Sequence, residues 1–415
     1  MGIRGTLKLP GDKSISHRAL LFSTFTKGKN LIHNISTGED VESTRICLLN
    51  SGVKSSKKNN SVEILGGKLK DSLTPLNCGN SGTTTRLIAG LLSGQEINAT
   101  LIGDQSLSSR PMDRIINPLI LMGSDIKSNN LQLPLTISSS IIKGIEYEIP
   151  VASAQVKSCL ILAGLGAKTP SHFYEKTPTR DHTEIMLEKM GADIAVENNL
   201  ITVNPLTKTL NNYEINIPGD PSTAGFFIGA TLIIPNSKLI IKNLLLNPSR
   251  IGLIKVLQKM NAQIHIIRQW DEIGETVGDI QVSYSQLNSI DLVKDDIPSM
   301  VDELPIFALI ASQADGITRV TGAEELRVKE SDRIKAICTN MKEIGVNIVE
   351  LKDGFIIEGN SNLKGGHIKT FNDHRIAMTF EIADLLSNEK IIIDNPNCID
   401  ISYPEFKETL KKISI

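Results

Sequence analysis

Between Pro10 and Phe22 the sequence PGDKSISHRALLF gathers Lys13, His17 and Arg18 with Asp12, Ser14 and Ser16 at the start of an apolar run. Ile15, Ala19 and Phe22 recur at helical spacing, so a helix is expected from about Ser14, with Pro10-Gly11-Asp12 as the turn before it. Lys13, Ser14 and Arg18 then cluster at a helix N-terminus, where amides lack intrahelical partners and the peptide dipoles sum to partial positive charge. Such an end can capture an anion, a phosphate or a carboxylate. On its own, the stretch is equally well read as a capped, solvated helix start with a few surface charges.

The pattern recurs. CGNSGTTTRLIAGLL from Cys78, SAQVKSCLILAGL from Ser153, PGDPSTAGFFIGA from Pro218, DELPIFALIA from Asp302 and NDHRIAMTFEIA from Asn372 each put a turn ahead of a helix of small and apolar residues. With Asp12, Asn80, Ala154, Asp220, Asp302 and Asp373 as markers, the gaps are 68, 74, 66, 82 and 71 residues, a sixfold repeat with three copies to a half. Between the helices lie β-branched stretches, NLITVNPL, AQIHIIRQW, VNIVEL and GFIIEG, and MGADI and IGVNI read as helix C-caps passing into strands. Each repeat therefore mixes helix and strand. Neither GxxxxGK[ST] nor GxGxxG is present, which counts against a nucleotide cofactor.

A further helix is expected from about Ser331, in EELRVKESDRIKAIC, with Ile334, Ile337, Met341 and Ile344 on one face. Lys329, Glu330 and Arg333 crowd its start. Alone, such a run reads as a charged capping region on a solvated face.

The 415 residues are long for one core and point to two domains. Hydrophobic residues make up 40% and charged residues 22%, as in ordinary globular proteins, and 44 basic against 46 acidic residues leave no overall field for nucleic acid. Cys47, Cys78, Cys159, Cys338 and Cys398 are scattered, odd in number and form no CxxC pair, against a disulfide framework or a zinc site and in keeping with a reducing cytoplasm. The longest apolar run, around Gly225 to Pro235, is too short for a bilayer, and no charged-then-apolar leader opens the chain. Met1 to Thr6 matches the loose myristoylation pattern, but Ile3 and Leu7 to Pro10 read as a strand leading into the first turn.

LPGDKSISHRA, GNSGTTTRL, GDQSLSSRPM, SAQVKS, LRVKESDR and NDHRIAM occur in this order, and together they resemble the 5-enolpyruvylshikimate-3-phosphate synthase family, from Leu9 to SYPEF near the C-terminus. The resemblance implies an α/β fold of two similar domains, each of three βαβαββ repeats arranged as an inside-out α/β barrel, with a ligand cleft between them. The implied domains are residues 12–218, and 1–11 joined with 219–415. The implied reaction takes shikimate 3-phosphate and phosphoenolpyruvate to the enolpyruvyl ether and phosphate, on the route to chorismate and aromatic amino acids, with no metal or organic cofactor. A monomer working in the cytoplasm, with no nucleic-acid or membrane partner, is expected.

Carried over position by position, the resemblance gives Lys13, Ser14, Arg18, Ser153, Ala154, Gln155, Asp302 and Lys329 to shikimate 3-phosphate. Phosphoenolpyruvate falls to Lys13, Asn80, Gly82, Arg110, Gln155, Arg333 and Arg375. Asp302 is the implied base at the 5-hydroxyl, and Glu330 with Lys13 the implied proton carriers at the enol methylene. In the family, glyphosate occupies the phosphoenolpyruvate site beside the glycine that matches Gly82, and tolerant members often carry alanine there.

Plainer roles stand beside these. Asp302 reads alone as a helix cap. His17 and His374 read as structural or as supporting the ligand-binding residues, Arg86 as lining the cleft or equally as packing or forming a salt bridge, and the contacts of Arg180, Asp181 and His182 stay open. Some members carry a serine where this chain has Ala154, a lysine where it has Ile401, and an asparagine where it has Glu325. The sister enzyme acting on a UDP-sugar would open with a Gly-Ala-Lys-Asn type turn and place a reactive cysteine in a mobile loop; this chain has Gly-Asp-Lys-Ser and no cysteine in the matching region. An RNA-end cyclase on related repeats would need ATP and a nucleophilic histidine. A phospholigand-binding protein without activity would release no phosphate.

Overall fold

In a computed structural model that describes residues 2–415, the chain divides into two compact units. One comprises the chain up to Pro10, Pro218–Trp270 and Thr276–Ile415; the other comprises Gly11–Ile217 with Asp271–Glu275. Each turn-plus-helix motif forms its helix: Lys13–Phe22, Gly82–Gln95 and Ala154–Gly164 in the second unit, Pro221–Ile233, Leu304–Ala311 and His374–Asp384 in the first. The caps explain the starts. Asp12, Ser81, Ser153, Asp220 and Asp373 each accept a hydrogen bond from an amide in the first turn, whereas Leu304–Ala311 has no side-chain cap and is led in by a 3-10 turn, Val301–Glu303. The helix expected from Ser331 begins at Arg333, because Asp332 caps it by accepting from the Lys335 amide at 3.0 Å.

Sheet order repeats with the helices. In the copy built on Gly82–Gln95, Leu76–Asn77 pairs parallel with Ala99–Ile102, which pairs antiparallel with Gln132–Ser138, and Asp125–Asn129 lies outermost. The helix joins the two parallel strands, as a parallel pair requires. The copy on Ala154–Gly164 has the same order, with Glu146–Ile149, Ser171–Glu175, Leu200–Val203 and Ile194–Glu197. The first copy takes its opening strand, Glu214–Asn216, from the far end of its unit, paired parallel with Gly28–His33. Correspondingly, Arg4–Lys8 opens the fourth copy, paired parallel with Lys238–Leu245. Gly191 and Gly345 leave their helices with φ of +100° and +87°, the left-handed C-cap that MGADI and IGVNI foretell.

The sixth copy is shorter. Its sheet has only Gly366–Ile368 and Ile391–Ile393, and where the others carry a hairpin the chain forms a 3-10 turn, Pro396–Ile401, and a helix, Phe406–Ile413. Phe406 stacks at 5.4 Å on Phe227 and 5.9 Å from Phe226 of the Pro221–Ile233 helix, so the aromatic end of the chain closes that core. All residues of Pro221–Ile233 and of Leu304–Ala311 are buried, which is why these two helices are apolar all round rather than amphipathic. In the second unit Gly82–Gln95 lies against Ala154–Gly164 so closely that a Cβ on Gly90 would sit 2.1 Å from the Cys159 carbonyl oxygen. Only glycine allows that approach.

Candidate active site

In the second unit, the Lys13–Phe22 helix starts as expected, with Asp12 Oδ1 accepting from the Ile15 amide at 2.8 Å. Lys13 Nζ lies 3.0 Å from Asp40 at the start of the Glu39–Asn50 helix and stays partly exposed, as does Ser14. Arg18 is buried: Nε donates to Thr183 Oγ1 at 2.7 Å, Nη2 to Ser158 Oγ at 2.7 Å and Nη1 to the Ser14 carbonyl at 2.9 Å. Burial, against the pull of Glu184 and Asp12, lowers its pKa to about 10, so it remains a cation at neutral pH. His17 accepts or donates through Nδ1 to Thr44 at 2.7 Å, and burial lowers its pKa to about 3. It is therefore neutral at ordinary pH.

A second group surrounds Gly82. Asn80 Nδ2 donates to Asp104 Oδ2 at 2.6 Å and its Oδ1 accepts from Arg110 Nη2 at 2.7 Å, which aims the Arg110 guanidinium. Arg86 Nη1 donates to Gln155 Oε1 at 2.5 Å, and Gln155 Nε2 donates to Thr83 Oγ1 at 2.9 Å. A Cβ on Gly82 would lie 2.8 Å from Arg86 Nη1 and 3.7 Å from Arg110 Nη1, so both cations flank the glycine. Burial and the neighbouring Arg110 and Arg114 lower the Arg86 pKa to about 10. Neither Arg86 nor Arg110 makes an ion pair with a carboxylate among the described residues. Ser153 caps the Ala154–Gly164 helix, which leaves Ala154 and Gln155 as its first two residues.

In the first unit, Arg333 is fully buried and bound by three carboxylates. Nε lies 2.8 Å from Asp373, Nη2 2.7 Å from Glu330 and Nη1 3.3 Å from Asp302. Burial opposes its charge, but Glu330, Asp373 and Asp302 more than offset this and hold its pKa above the ordinary value. Arg375 Nη1 donates to the Asp302 backbone carbonyl at 3.0 Å, and its Nη2 lies 3.9 Å from Asp302 Oδ2. Asp302 therefore faces two guanidinium groups, and Glu303 occupies the N-cap position of the helix that follows. Lys329 pairs with Glu325 at 2.6 Å, so the acidic residue that stands in for an asparagine is engaged by the lysine next to it on the turn. Ile401 packs, partly buried, against the apolar core.

Several partners had no signal in the sequence: Asp40 for Lys13, Asp104 for Asn80, and Thr183 and Ser158 for Arg18. His182 Nδ1 meets Glu275 at 2.7 Å, both fully buried. No cluster of three or more His, Cys, Asp or Glu able to hold a metal occurs among the described residues, and no described helix is long and apolar enough to cross a membrane.

The family model of EPSP synthase (3-phosphoshikimate 1-carboxyvinyltransferase) matches residues 2–410. The 3-phosphoshikimate 1-carboxyvinyltransferase of Oceanobacillus iheyensis is 44% identical over 416 residues, spanning 99% of this chain and 97% of the relative. That of Endomicrobium trichonymphae is 44% identical over 419 residues, with 99% and 97% covered. EPSP synthase from Acinetobacter baumannii superposes with a TM-score of 0.92 at 37% identity, covering 100% of this chain and 96% of that one. The enolpyruvyl transferase NikO from Streptomyces tendae superposes at 0.80 with 13% identity over 99% and 95% of the two chains, a likeness of fold alone. With its whole length matched in sequence and in fold, the chain belongs to the EPSP synthase (3-phosphoshikimate 1-carboxyvinyltransferase) family.

Proposed function

We propose that this chain transfers the enolpyruvyl group of phosphoenolpyruvate to the 5-hydroxyl of shikimate 3-phosphate, releasing phosphate, in the shikimate pathway to chorismate. Besides family membership, the observation that carries this reading is the pair Arg86 and Arg110 flanking Gly82, two cations with no carboxylate partner in a chain of net charge -2. A small dianion is what such a site accepts, because a planar guanidinium binds carboxylate or phosphate through paired N–H donors.

In this reading Lys13, Ser14, Arg18, Ser153, Ala154, Gln155, Asp302 and Lys329 hold shikimate 3-phosphate. Lys13, Asn80, Gly82, Arg110, Gln155, Arg333 and Arg375 hold phosphoenolpyruvate. Asp302 takes the proton of the 5-hydroxyl as its oxygen attacks C2, while Glu330 and Lys13 deliver a proton to C3. The tetrahedral intermediate then loses a proton from C3 and phosphate from C2. Arginine and lysine charges offset the phosphates and carboxylates brought together. The chain works on small molecules alone, as a cytoplasmic monomer without nucleic acid or membrane; all five cysteines are free and buried, which suits a reducing compartment.

Phosphate release tests it. Inorganic phosphate is expected only when both substrates are present, in step with loss of phosphoenolpyruvate. Binding of both without release would make the chain a phospholigand-binding protein instead.

A further inference from the structure

Two adjacent residues of the Ala154–Gly164 helix, Lys157 and Ser158, meet two adjacent residues of the His182–Lys189 helix, Glu184 and Thr183. Lys157 Nζ lies 2.7 Å from Glu184 Oε1, and Ser158 Oγ lies 2.7 Å from Thr183 Oγ1. The two helices are thus joined by an ionic rung and a hydroxyl rung side by side. Arg18 hangs on the second: its Nε donates to Thr183 and its Nη2 to Ser158. Lys157 also reaches Glu175 at 2.8 Å, whose other oxygen accepts from Thr179 Oγ1 at 2.5 Å. Arg18, Lys157, Glu175 and Glu184 are all nearly inaccessible, at 3%, 1%, 5% and 4%.

We propose that the Lys157–Glu184 pair is the positioning element of Arg18: it locks the register of the two helices so that Ser158 and Thr183 present both hydroxyls to one guanidinium. The inference rests on the reading that Arg18 binds shikimate 3-phosphate. Lys157 is buried between two carboxylates, Glu175 and Glu184, so its charge is paired within the protein. With Nε and one hydrogen on each terminal nitrogen engaged by protein acceptors, the plane of the guanidinium is fixed, and one N–H on Nη1 and one on Nη2 remain for a ligand. Glu184 Oε2 is buried with no hydrogen-bond partner, while Oε1 meets Lys157 at 2.7 Å. A guanidinium left free to turn would lose the bidentate geometry that an anion rewards.

Glu184→Gln is the test, measured in the wild-type and Arg18→Ala backgrounds with each substrate varied in turn. In the wild-type background the KM for shikimate 3-phosphate is expected to rise about tenfold, the scale of one misaligned hydrogen bond, with kcat and the phosphoenolpyruvate KM within about twofold. In the Arg18→Ala background the same change is expected to add nothing. An equal rise in both backgrounds, or none in either, overturns the proposal. If Arg18→Ala alone leaves the shikimate 3-phosphate KM unchanged, the binding role of Arg18 falls and the proposal with it. Should Glu184→Gln not fold, Thr183→Val against Thr183→Ser reads the same frame. A raised KM for valine with a normal one for serine supports it, and normal values for both overturn it.

Discussion

Asp302 Oδ1 accepts from Arg333 Nη1 at 3.3 Å, a contact between a partly exposed carboxylate and a guanidinium with no exposed surface at all. The buried partner fixes where the exposed one points. Arg333 is held in turn by Asp373 and Glu330, so one guanidinium ties three carboxylates together at one spot.

Asp302→Ala is expected to lower kcat by about 10²- to 10⁴-fold, the range for a lost general base, while the protein folds and still binds shikimate 3-phosphate. Folding survives because Arg333 keeps Asp373 and Glu330, and because Arg375 bonds the Asp302 backbone carbonyl, which alanine retains. Initial rates with a thermal melt decide it. Near-normal turnover removes Asp302 from the mechanism.

Lys13 and Arg18 are expected to divide the ligands between them. Lys13→Met is expected to raise the phosphoenolpyruvate KM and lower kcat together. Arg18→Ala is expected to raise chiefly the KM for shikimate 3-phosphate and to cost about 1–3 kcal/mol of stability, since Ser158 and Thr183 lose their buried donor. Varying each substrate separately, with denaturant melts, checks both; identical effects on both ligands contradict the division.

His17 governs part of the acid response. Its folded pKa, lowered to about 3 by burial, lies below the ordinary value of 6.5, so the unfolded chain takes up a proton that the folded one refuses. The stability from the neutral imidazole is present above pH 6.5 and is lost as pH falls toward 3, by about 1.4 kcal/mol per pH unit. Urea titrations from pH 7 to pH 5 should show a steeper loss for the natural protein than for His17→Gln. Parallel slopes would contradict the assignment.

Local signals made the six helices legible: small and apolar residues at helical spacing, preceded by a capping residue in every case but Leu304–Ala311. The chain beyond each helix takes its form from distant packing partners, so the repeat could not announce that the sixth copy ends in Phe406–Ile413 rather than a hairpin. Cations were legible as residue types, but not their partners. Glu330 stands three residues from Arg333, whereas Asp302 and Asp373 arrive from 31 and 40 residues away. For the same reason Asp302 alone read as a cap: its two arginines are visible only once the chain is folded.

Gly82 is expected to set the response to glyphosate. The herbicide is expected to inhibit in competition with phosphoenolpyruvate, because Gly82 offers no methyl to crowd an inhibitor slightly longer than the substrate. Gly82 opens its helix, where alanine fits the backbone, so the cost of Gly82→Ala lies in its side chain. The new methyl would sit 2.8 Å from Arg86 Nη1, and that nitrogen is tied to Gln155 at 2.5 Å. Arg86 must swing away, Gln155 loses its donor, and the site is reshaped for both ligands. Gly82→Ala should therefore relieve inhibition at least tenfold while raising the phosphoenolpyruvate KM by a few-fold, about 1 kcal/mol of binding. Inhibition measured at several phosphoenolpyruvate concentrations settles the point: insensitivity of the natural protein, or an unchanged response in Gly82→Ala, is incompatible with this placement of the site.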